Sequence, residues 1–484
     1  MSVVKEKIIK NVKWLSLTVI VTKLIKLCTF LLIAKTLLPA TYGKFIYILS
    51  IINLCYIFSD LGIKSVLQKE FFIKSGTQDL TTLLLTRVLL SSAGLLISIL
   101  LPLIVITIQY SIPYILLLIF VYISHIKEFF FIYARFENKS ELEFFTQSLE
   151  AIVQFLSILS LFIFINPSLK NIAIAYILGV LSSGSYFLFR FIPNLKKLSW
   201  GYNTQYIKFT AASYKLLAIS SIFSELFKYI DSIIIKHVLD FKQLGLFDMA
   251  KKIFELPNNF SGVLFKSVIP SLSQFQNNRE KFSRVFERNL ILLAIIYVPV
   301  IGTLTIIDRP MLQLFLSENY WPSIEILSYF WVLLFLIPIK KIAGTSLVLF
   351  NRLLAFSSII SISATIGTIL LPICLTRFSL FGAIFSSIIS SILRLVMSLW
   401  SLRSILALSR FFFISLLKMV TASTVSLTGV IVLSYFHYHW LLICIWINIS
   451  FFTVLFLCKD KLTQEYKNFI FKNLSRFLKT NGLF

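Results

Sequence analysis

Continuous apolar runs of about 20 residues, separated by short breaks with charged residues, Pro or Gly, recur along the whole chain. An α-helix needs a run of this length to cross the hydrocarbon core of a bilayer. The strands of a porin-type barrel instead alternate polar and apolar residues over about 10 positions. The 484 residues are 58% hydrophobic and 14% charged, with a mean hydropathy of +0.89. This composition excludes a water-soluble fold, and we expect an all-α integral membrane protein.

About fourteen of these runs are candidate transmembrane helices. The first follows a basic N-terminus and is too long for a cleaved signal peptide, so we interpret it as a span. Spans seven and eight carry the most charged residues. The expected extents are 12–34, 42–62, 80–106, 112–134, 147–165, 171–191, 211–235, 245–269, 288–307, 324–349, 354–375, 380–402, 411–434 and 438–458.

Lys and Arg are distributed unevenly over the connecting segments. The chain has 46 Lys and Arg against 21 Asp and Glu, a formal net charge of +25. With the N-terminus inside, the inner segments carry about four times as many basic residues as the outer ones, as the positive-inside rule requires. The excess charge therefore indicates orientation, with both termini cytoplasmic, and nucleic acid is not an expected partner.

Motifs for cofactor or metal chemistry are not found. No phosphate-binding Gly-x-x-x-x-Gly-Lys-Ser/Thr motif, zinc motif or nucleophile motif occurs in the sequence. The five Cys residues stand singly in or beside apolar runs, which is typical of membrane packing. We therefore expect no cofactor, no metal and no enzymatic activity. Energy for any transport would come from an ion gradient, the membrane potential or substrate flux.

Two short matches indicate an internal repeat. Tyr42-Gly43-Lys44-Phe45 corresponds to Leu244-Gly245-Leu246-Phe247, about 202 residues later, and Ile126-Lys127-Glu128 corresponds to Ile339-Lys340-Lys341. Copies that are six spans apart share one orientation. We expect two six-helix lobes, two further helices and an amphipathic tail on the inner membrane surface. Their expected bounds are 1–200 for the N-lobe, 201–405 for the C-lobe, 406–458 for the extra helices and 459–484 for the tail.

Polar residues form a stripe on one face of three spans when these are drawn as helices with 100° per residue. Lipid cannot accept such groups, so the stripes predict a water-lined path between helices. The stripe of span one holds Asn11, Thr18, Thr22, Lys26 and Thr29, with Lys23 beside it. That of span seven holds Tyr214, Ser221, Ser224, Glu225, Lys228, Asp231 and Ser232, and that of span eight holds Asp248, Lys251, Lys252, Glu255, Asn259 and Lys266.

The charges inside the spans have two interpretations. Glu225 and Lys228 are three residues apart, as are Lys252 and Glu255, so these charges can pair within their helices. Basic residues outnumber acidic ones in the spans, however, which favours a positively charged cavity for an anionic cargo. Lys340 follows Pro338 in span ten, where it either lines such a cavity or reaches the inner membrane surface.

Two segments carry a family resemblance. The first is LLPATYGKFIYILSIINLCYIFSDLGIKSVLQ (37–68), with Tyr42-Gly43 and Ser59-Asp60-Leu61-Gly62. The second is DSIIIKHVLDFKQLGLFDMAKKIFELPNNFSGVLFKSVIPSLSQ (231–274), with Asp231, Gly245 and Pro270. Both resemble the Wzx-type O-antigen flippases, in the polysaccharide-transport branch of the multidrug/oligosaccharidyl-lipid/polysaccharide (MOP) exporter superfamily.

This resemblance implies a MOP-type fold of two helical bundles around a central cavity, working by alternating access. The implied substrate is an undecaprenyl-diphosphate-linked oligosaccharide, moved from the inner to the outer leaflet of the bacterial cytoplasmic membrane. Implied partners are membrane lipids, H⁺ or Na⁺, a polysaccharide polymerase and a chain-length regulator.

Both the resemblance and the polar stripes lead to a set of candidate site residues. A diphosphate headgroup needs cations along a desolvated path. The candidates for this cationic lining are Lys23, Lys26, Lys228, Lys251, Lys252, Lys340 and Arg394. A carboxyl group near neutral cavity walls can titrate, so the candidates for ion coupling are Glu225, Asp231 and Glu255.

Three other functions remain as alternatives. A drug/cation antiporter of the same superfamily would have about twelve spans and a cavity dominated by acids. A lipid II-type flippase would share the size and the cationic cavity. An O-antigen polymerase would need a substantial outer domain, whereas the longest expected outer segment is about 308–323.

Overall fold

The computed structural model describes residues 2–60, 77–104, 111–136, 139–164, 168–195, 203–406 and 440–457. Every regular element in these ranges is a helix, which confirms the all-α expectation. Apart from a 3-10 turn at Glu318–Tyr320, the helices are α1 (Ser2–Thr36), α2 (Pro39–Asp60), α3 (Thr77–Ile104), α4 (Ile112–Phe136), α5 (Ser140–Phe164), α6 (Leu169–Leu195), α7 (Thr204–Val238), α8 (Phe241–Ser273), α9 (Arg279–Phe315), α10 (Trp321–Leu349), α11 (Leu353–Phe378), α12 (Leu380–Leu402) and α13 (Trp440–Leu457).

The helices follow the expected order of spans. Helices α1 to α12 coincide with the first twelve expected spans, and α13 coincides with the fourteenth. Within the described ranges, nine helical segments are long and apolar enough to cross a membrane. Helices α7 and α8 are not among them, because their charged residues lower the hydropathy. The expected span 411–434 and the amphipathic tail lie outside the described residues.

Several helices begin at residues that suit a helix N-terminus. The side-chain oxygen of Asp240 accepts a hydrogen bond of 2.6 Å from the backbone N–H of Gln243, and Asn278 does the same for Lys281 at 3.0 Å. Such caps satisfy backbone donors that have no partner within the helix. Helix α2 begins at Pro39, where the missing N–H costs no hydrogen bond.

The described residues form two compact units. The first holds those of Met1–Val263, Phe315–Phe330 and Arg352–Arg394. In it, α1 packs on α5, α5 on α6, and α4 on α6, while α2 packs on α3 and α7 and α7 packs on α11. Small residues and aromatic rings fill these contacts, among them Phe131, Phe187 and Phe191.

The second unit holds the described residues of Leu264–Leu314, Trp331–Asn351 and Leu395–Phe484. Polar contacts join its helices. The indole N–H of Trp331 donates to the Asp308 carboxylate at 3.2 Å, and the Asn448 amide donates to the Thr303 hydroxyl at 3.0 Å. Hydrogen bonds of this kind hold membrane helices together, because lipid offers no alternative partner.

The crossing of α2 and α8 has the symmetry that the sequence match predicts. A methyl group on Gly43 would overlap the carbonyl oxygen of Phe241, and a methyl group on Gly245 would overlap that of Pro39. Gly43 therefore lies against Phe241, which is four residues before Gly245, and Gly245 lies against Pro39, which is four residues before Gly43. This reciprocity supports an internal repeat with an offset of about 202 residues. The bounds of the two lobes remain a prediction.

Candidate functional site

A cavity of about 350 Å³ lies within the first unit. Its lining comes from α1, α2, α4, α5, α6, α7 and α8. This volume falls at the lower end of the range for small-molecule sites. The cavity can therefore enclose a headgroup but not a whole oligosaccharide lipid.

Basic side chains dominate the charge of the lining. Five lysines contribute to it, against two carboxylates, those of Asp248 and Glu255. Helix α1 supplies Lys23 and Lys26, α7 supplies Lys228, and α8 supplies Lys251 and Lys252. The two lysines on α8 are adjacent and lie about one helical turn after Asp248, so all three side chains face the same space.

Three of the five lysines have acidic neighbours. The nitrogen-to-oxygen distances are 3.6 Å for Lys228 and Glu225, 4.0 Å for Lys251 and Asp231, and 3.8 Å for Lys252 and Glu255. All three exceed the 2.7–2.9 Å that is typical of a charge-assisted hydrogen bond. None of the three pairs therefore has the geometry of a strong, charge-assisted hydrogen bond.

Lys23 and Lys26 differ from the other three. Neither forms a salt bridge with any residue in the described ranges. They lie nearly one turn apart on α1, and Thr29 continues the same face into the cavity. Within the described ranges, the lining lysines that have no ion pair at 4.0 Å or less are thus the two on α1.

Aromatic rings accompany the cations. The ammonium group of Lys252 lies 5.3 Å from the centre of the Phe30 ring, and that of Lys228 lies 5.0 Å from the centre of the Tyr229 ring. Such contacts stabilise a cation without neutralising it. They keep these lysines in place while leaving their charge available to an anion.

Asp248 is held by a neutral donor. The buried hydroxyl of Tyr42 on α2 donates to the Asp248 carboxylate at 2.7 Å. The Tyr42 ring packs on Phe45 and Tyr320, with centroid distances of 6.3 and 6.2 Å. Asp248 therefore joins α2 to α8 without using one of the cavity lysines.

The structure brings together six of the ten candidate residues named from sequence. Lys23, Lys26, Lys228, Lys251, Lys252 and Glu255 line the cavity. Glu225 and Asp231 approach two of these lysines but are not part of the lining. Lys340 belongs to the second unit and Arg394 to the end of the first, and neither lines this cavity. Their roles in binding and coupling remain predictions.

The threonines of the α1 stripe have a more local role than the stripe suggests. The hydroxyls of Thr18, Thr22 and Thr29 each donate to the backbone carbonyl four residues earlier. All three side chains are buried. Threonine commonly satisfies its hydroxyl in this way inside a helix, so a polar stripe does not require water along its whole length.

Several lining residues were not named from sequence. Among them are the uncharged side chains Ser50, Asn53, Phe120, Gln154 and Tyr176. Asn53 and Gln154 are amide side chains inside membrane-spanning helices, and such polar residues mark functional positions often enough to be a usable signal. Phe120 and Tyr176 carry no such signal in a chain with 48 Phe and 19 Tyr.

Known structures share this fold. The structure titled lipid II flippase MurJ, inward closed conformation, has a TM-score of 0.68 and 17% identity, covering 91% of this chain and 97% of that chain. An inward-facing multidrug resistance MATE family transporter of the MOP superfamily has a TM-score of 0.62 and 12% identity, covering 82% and 98%. A MOP superfamily transporter from Pyrococcus furiosus, described as having a binding pocket of reverse polarity, has a TM-score of 0.60 and 13% identity, covering 83% and 96%.

Sequence comparison identifies the family. Among curated proteins, none has significant sequence similarity to this chain. The family model described as polysaccharide biosynthesis protein matches residues 8–276, which is more than half of the chain and includes the lysine-lined cavity. The chain therefore belongs to the polysaccharide biosynthesis protein family and has the fold of the MOP-superfamily transporters.

Proposed function

We propose that this protein is a flippase for undecaprenyl-diphosphate-linked oligosaccharide, the O-antigen repeat unit. It moves this lipid from the inner to the outer leaflet of the bacterial cytoplasmic membrane by alternating access. The observation that carries the proposal is the cavity with five lysines and two carboxylates. The polysaccharide biosynthesis family gives the substrate class a second, independent basis.

The chemistry of a diphosphate matches that lining. A polyprenyl diphosphate carries its negative charge at one end, and this charge cannot enter hydrocarbon without cations. Lys23 and Lys26 are available to bind it without first leaving a carboxylate. Lys228, Lys251 and Lys252 can follow by exchanging their long ion pairs. The polyprenyl tail is apolar and can stay in the lipid throughout.

The candidate coupling residues lie beside these lysines. Glu255 is within 3.8 Å of Lys252, and Asp231 is within 4.0 Å of Lys251. When a phosphate replaces the carboxylate in the ion pair with a lysine ammonium group, the carboxylate loses the positive charge that stabilised it. It then becomes easier to protonate. We therefore propose that an ion gradient is coupled to transport through Glu225, Asp231 and Glu255, with H⁺ or Na⁺ as the ion.

Gene deletion in a bacterium that makes a surface polysaccharide tests the function. We expect the polymer to disappear from the surface, while undecaprenyl-linked repeat units accumulate on the cytoplasmic side. Complementation with the wild-type gene should restore the polymer. Normal surface polysaccharide together with altered drug tolerance would reject the proposal in favour of a drug/cation antiporter.

A lipid II-type flippase is the second candidate, because one of the similar structures is a protein of that name. The same deletion separates the two. Loss of lipid II transport would arrest peptidoglycan synthesis and lyse the cells. Loss of an O-antigen flippase would leave the cell wall intact.

A polymerase and a chain-length regulator are the proposed partners downstream, because a flipped repeat unit must be polymerised.

A further inference from the structure

The cavity lining divides by chemistry as well as by helix. The charged lining residues come from α1, α7 and α8. The lining residues that α2, α4, α5 and α6 supply are uncharged. We call the polar and aromatic members of this second group the neutral wall: Ser50, Asn53, Phe120, Gln154 and Tyr176.

Three side chains of the neutral wall have polar atoms without a protein partner. Among the described residues, no hydrogen bond is found to the Ser50 hydroxyl, the Gln154 carbonyl oxygen or the Tyr176 hydroxyl, and all three side chains line the cavity. Yet Ser50 is 4% exposed, Gln154 2% and Tyr176 7%. None of the three atoms is fully enclosed by protein, so each can form a hydrogen bond with a molecule that occupies the cavity.

The orientation of Gln154 is set by its neighbours. Its amide nitrogen lies 3.4 Å from the Glu150 carboxylate, which can only accept a hydrogen bond, so the carbonyl oxygen is the end left for the cavity. Gly179 of α6 makes room for this side chain, because a methyl group there would overlap the Gln154 Cγ atom. The amide is thus a preoriented acceptor.

The neutral wall also offers aromatic surface. The rings of Phe120 and Tyr176 pack edge to face with centroids 5.1 Å apart, and Phe45 supports Tyr176 from the other side at 5.4 Å. Asn53 is fixed by a hydrogen bond of 2.7 Å to the Leu49 carbonyl and by a contact of 3.3 Å with His125. These contacts hold Phe120, Tyr176 and Asn53 in their positions on the wall.

We infer that the neutral wall is a saccharide subsite, which binds the sugar next to the diphosphate. A sugar presents hydroxyls that both donate and accept, together with an apolar C–H face. The three unpartnered polar atoms match the hydroxyls, and the aromatic rings match the C–H face. This inference rests on the proposed function, because the lysines must hold the diphosphate to place the sugar here. It makes the neutral wall the part of the cavity that selects the oligosaccharide.

Binding to two lipids tests the subsite with the full-length protein in detergent. One lipid is undecaprenyl diphosphate without sugar. The other is the lipid-linked repeat unit, extracted from cells in which the gene is deleted. Affinity is measured for the wild type, for Ser50→Ala, Gln154→Ala and Tyr176→Phe, and for Ser160→Ala, an exposed control on the same helix as Gln154. Folding is checked by gel filtration and thermal unfolding.

We expect the wild type to bind the glycosylated lipid more tightly than the bare one. Each neutral-wall variant should reduce that preference about fivefold, as expected for one lost hydrogen bond. Its affinity for undecaprenyl diphosphate should stay unchanged. Ser160→Ala should match the wild type with both lipids.

Two results would overturn the inference, and only the second of them would also overturn the proposed function. If the wild type binds both lipids equally, or if the variants weaken both lipids alike, the neutral wall does not recognise sugar, while the proposed function stands. If the wild type binds neither lipid, the proposed function fails and the saccharide subsite fails with it.

Discussion

Lys127 of α4 and Glu150 of α5 form a buried ion pair within the first unit. Their side chains are 7% and 10% exposed. The Ser183 hydroxyl of α6 lies 2.5 Å from the Lys127 ammonium group and 3.2 Å from the Glu150 carboxylate. One polar cluster thus joins three helices, and Gln154 extends it from Glu150 to the cavity.

Removal of one member of this pair should destabilise the protein. We expect Glu150→Gln to lower the free energy of unfolding by about 3–5 kcal/mol, since it leaves Lys127 charged and buried. The double variant Lys127→Met, Glu150→Leu should recover most of this loss. Unfolding in mixed detergent measures the difference. Glu280→Gln is the control, because its pair with Arg284 is exposed and should contribute little. Equal effects of Glu150→Gln and Glu280→Gln would contradict the prediction.

The contact between Gly43 and Gly245 should tolerate no side chain. Either Gly→Ala substitution places a methyl group on a backbone carbonyl of the facing helix, so α2 and α8 must separate. We expect a loss of about 1–3 kcal/mol or more, visible as a lower melting temperature or less folded protein. Gly184→Ala is the matched control, since its Cβ would meet no atom within 4 Å. If Gly43→Ala behaves like Gly184→Ala, the helices do not approach each other as described.

The two α1 lysines, which have no ion pair with the part of the chain that the structure describes, should be the most sensitive to charge removal. We expect Lys23→Gln and Lys26→Gln each to weaken binding of undecaprenyl diphosphate about tenfold or more, as for a lost hydrogen bond to a charged group. The amount of inserted protein should not change. Lys35→Gln is the control, because Lys35 is exposed at the end of the same helix and does not line the cavity. Equal binding by the Lys26 and Lys35 variants would remove Lys26 from the anion site, and equal binding by the Lys23 variant as well would remove α1.

Glu255 should separate substrate binding from ion coupling. Glu255→Gln keeps the shape of the side chain but cannot lose a proton. We expect it to bind lipid at least as tightly as the wild type, since Lys252 loses its acidic neighbour. Transport in proteoliposomes should no longer respond to an imposed ion gradient. A variant that still responds would exclude Glu255 as the coupling carboxylate, and Asp231→Asn would be tested next.

Periodicity explains which part of the site was predictable. Asp248, Lys251, Lys252 and Glu255 recur at helical spacing over about two turns of one helix, so any fold that keeps α8 helical places them on one face. The approach of Asp231 to Lys251 joins two helices, and nothing in their sequence spacing indicates it. Its charge and its place inside a span make Lys340 a candidate for the same cationic lining, but in the structure Lys340 belongs to the second unit.

The sequence by itself determined the membrane environment, the helical class, the order of the helices and the basic character of the interior. Each of these depends on local composition and on the 3.6-residue period, which the chain carries without reference to its neighbours. Only the tertiary structure decided that Gln154, Tyr176 and Ser50 share a cavity with Lys23 and Lys26. A single polar residue in an apolar helix can face lipid, a neighbour or water, and its direction is decided by which helices pack against it.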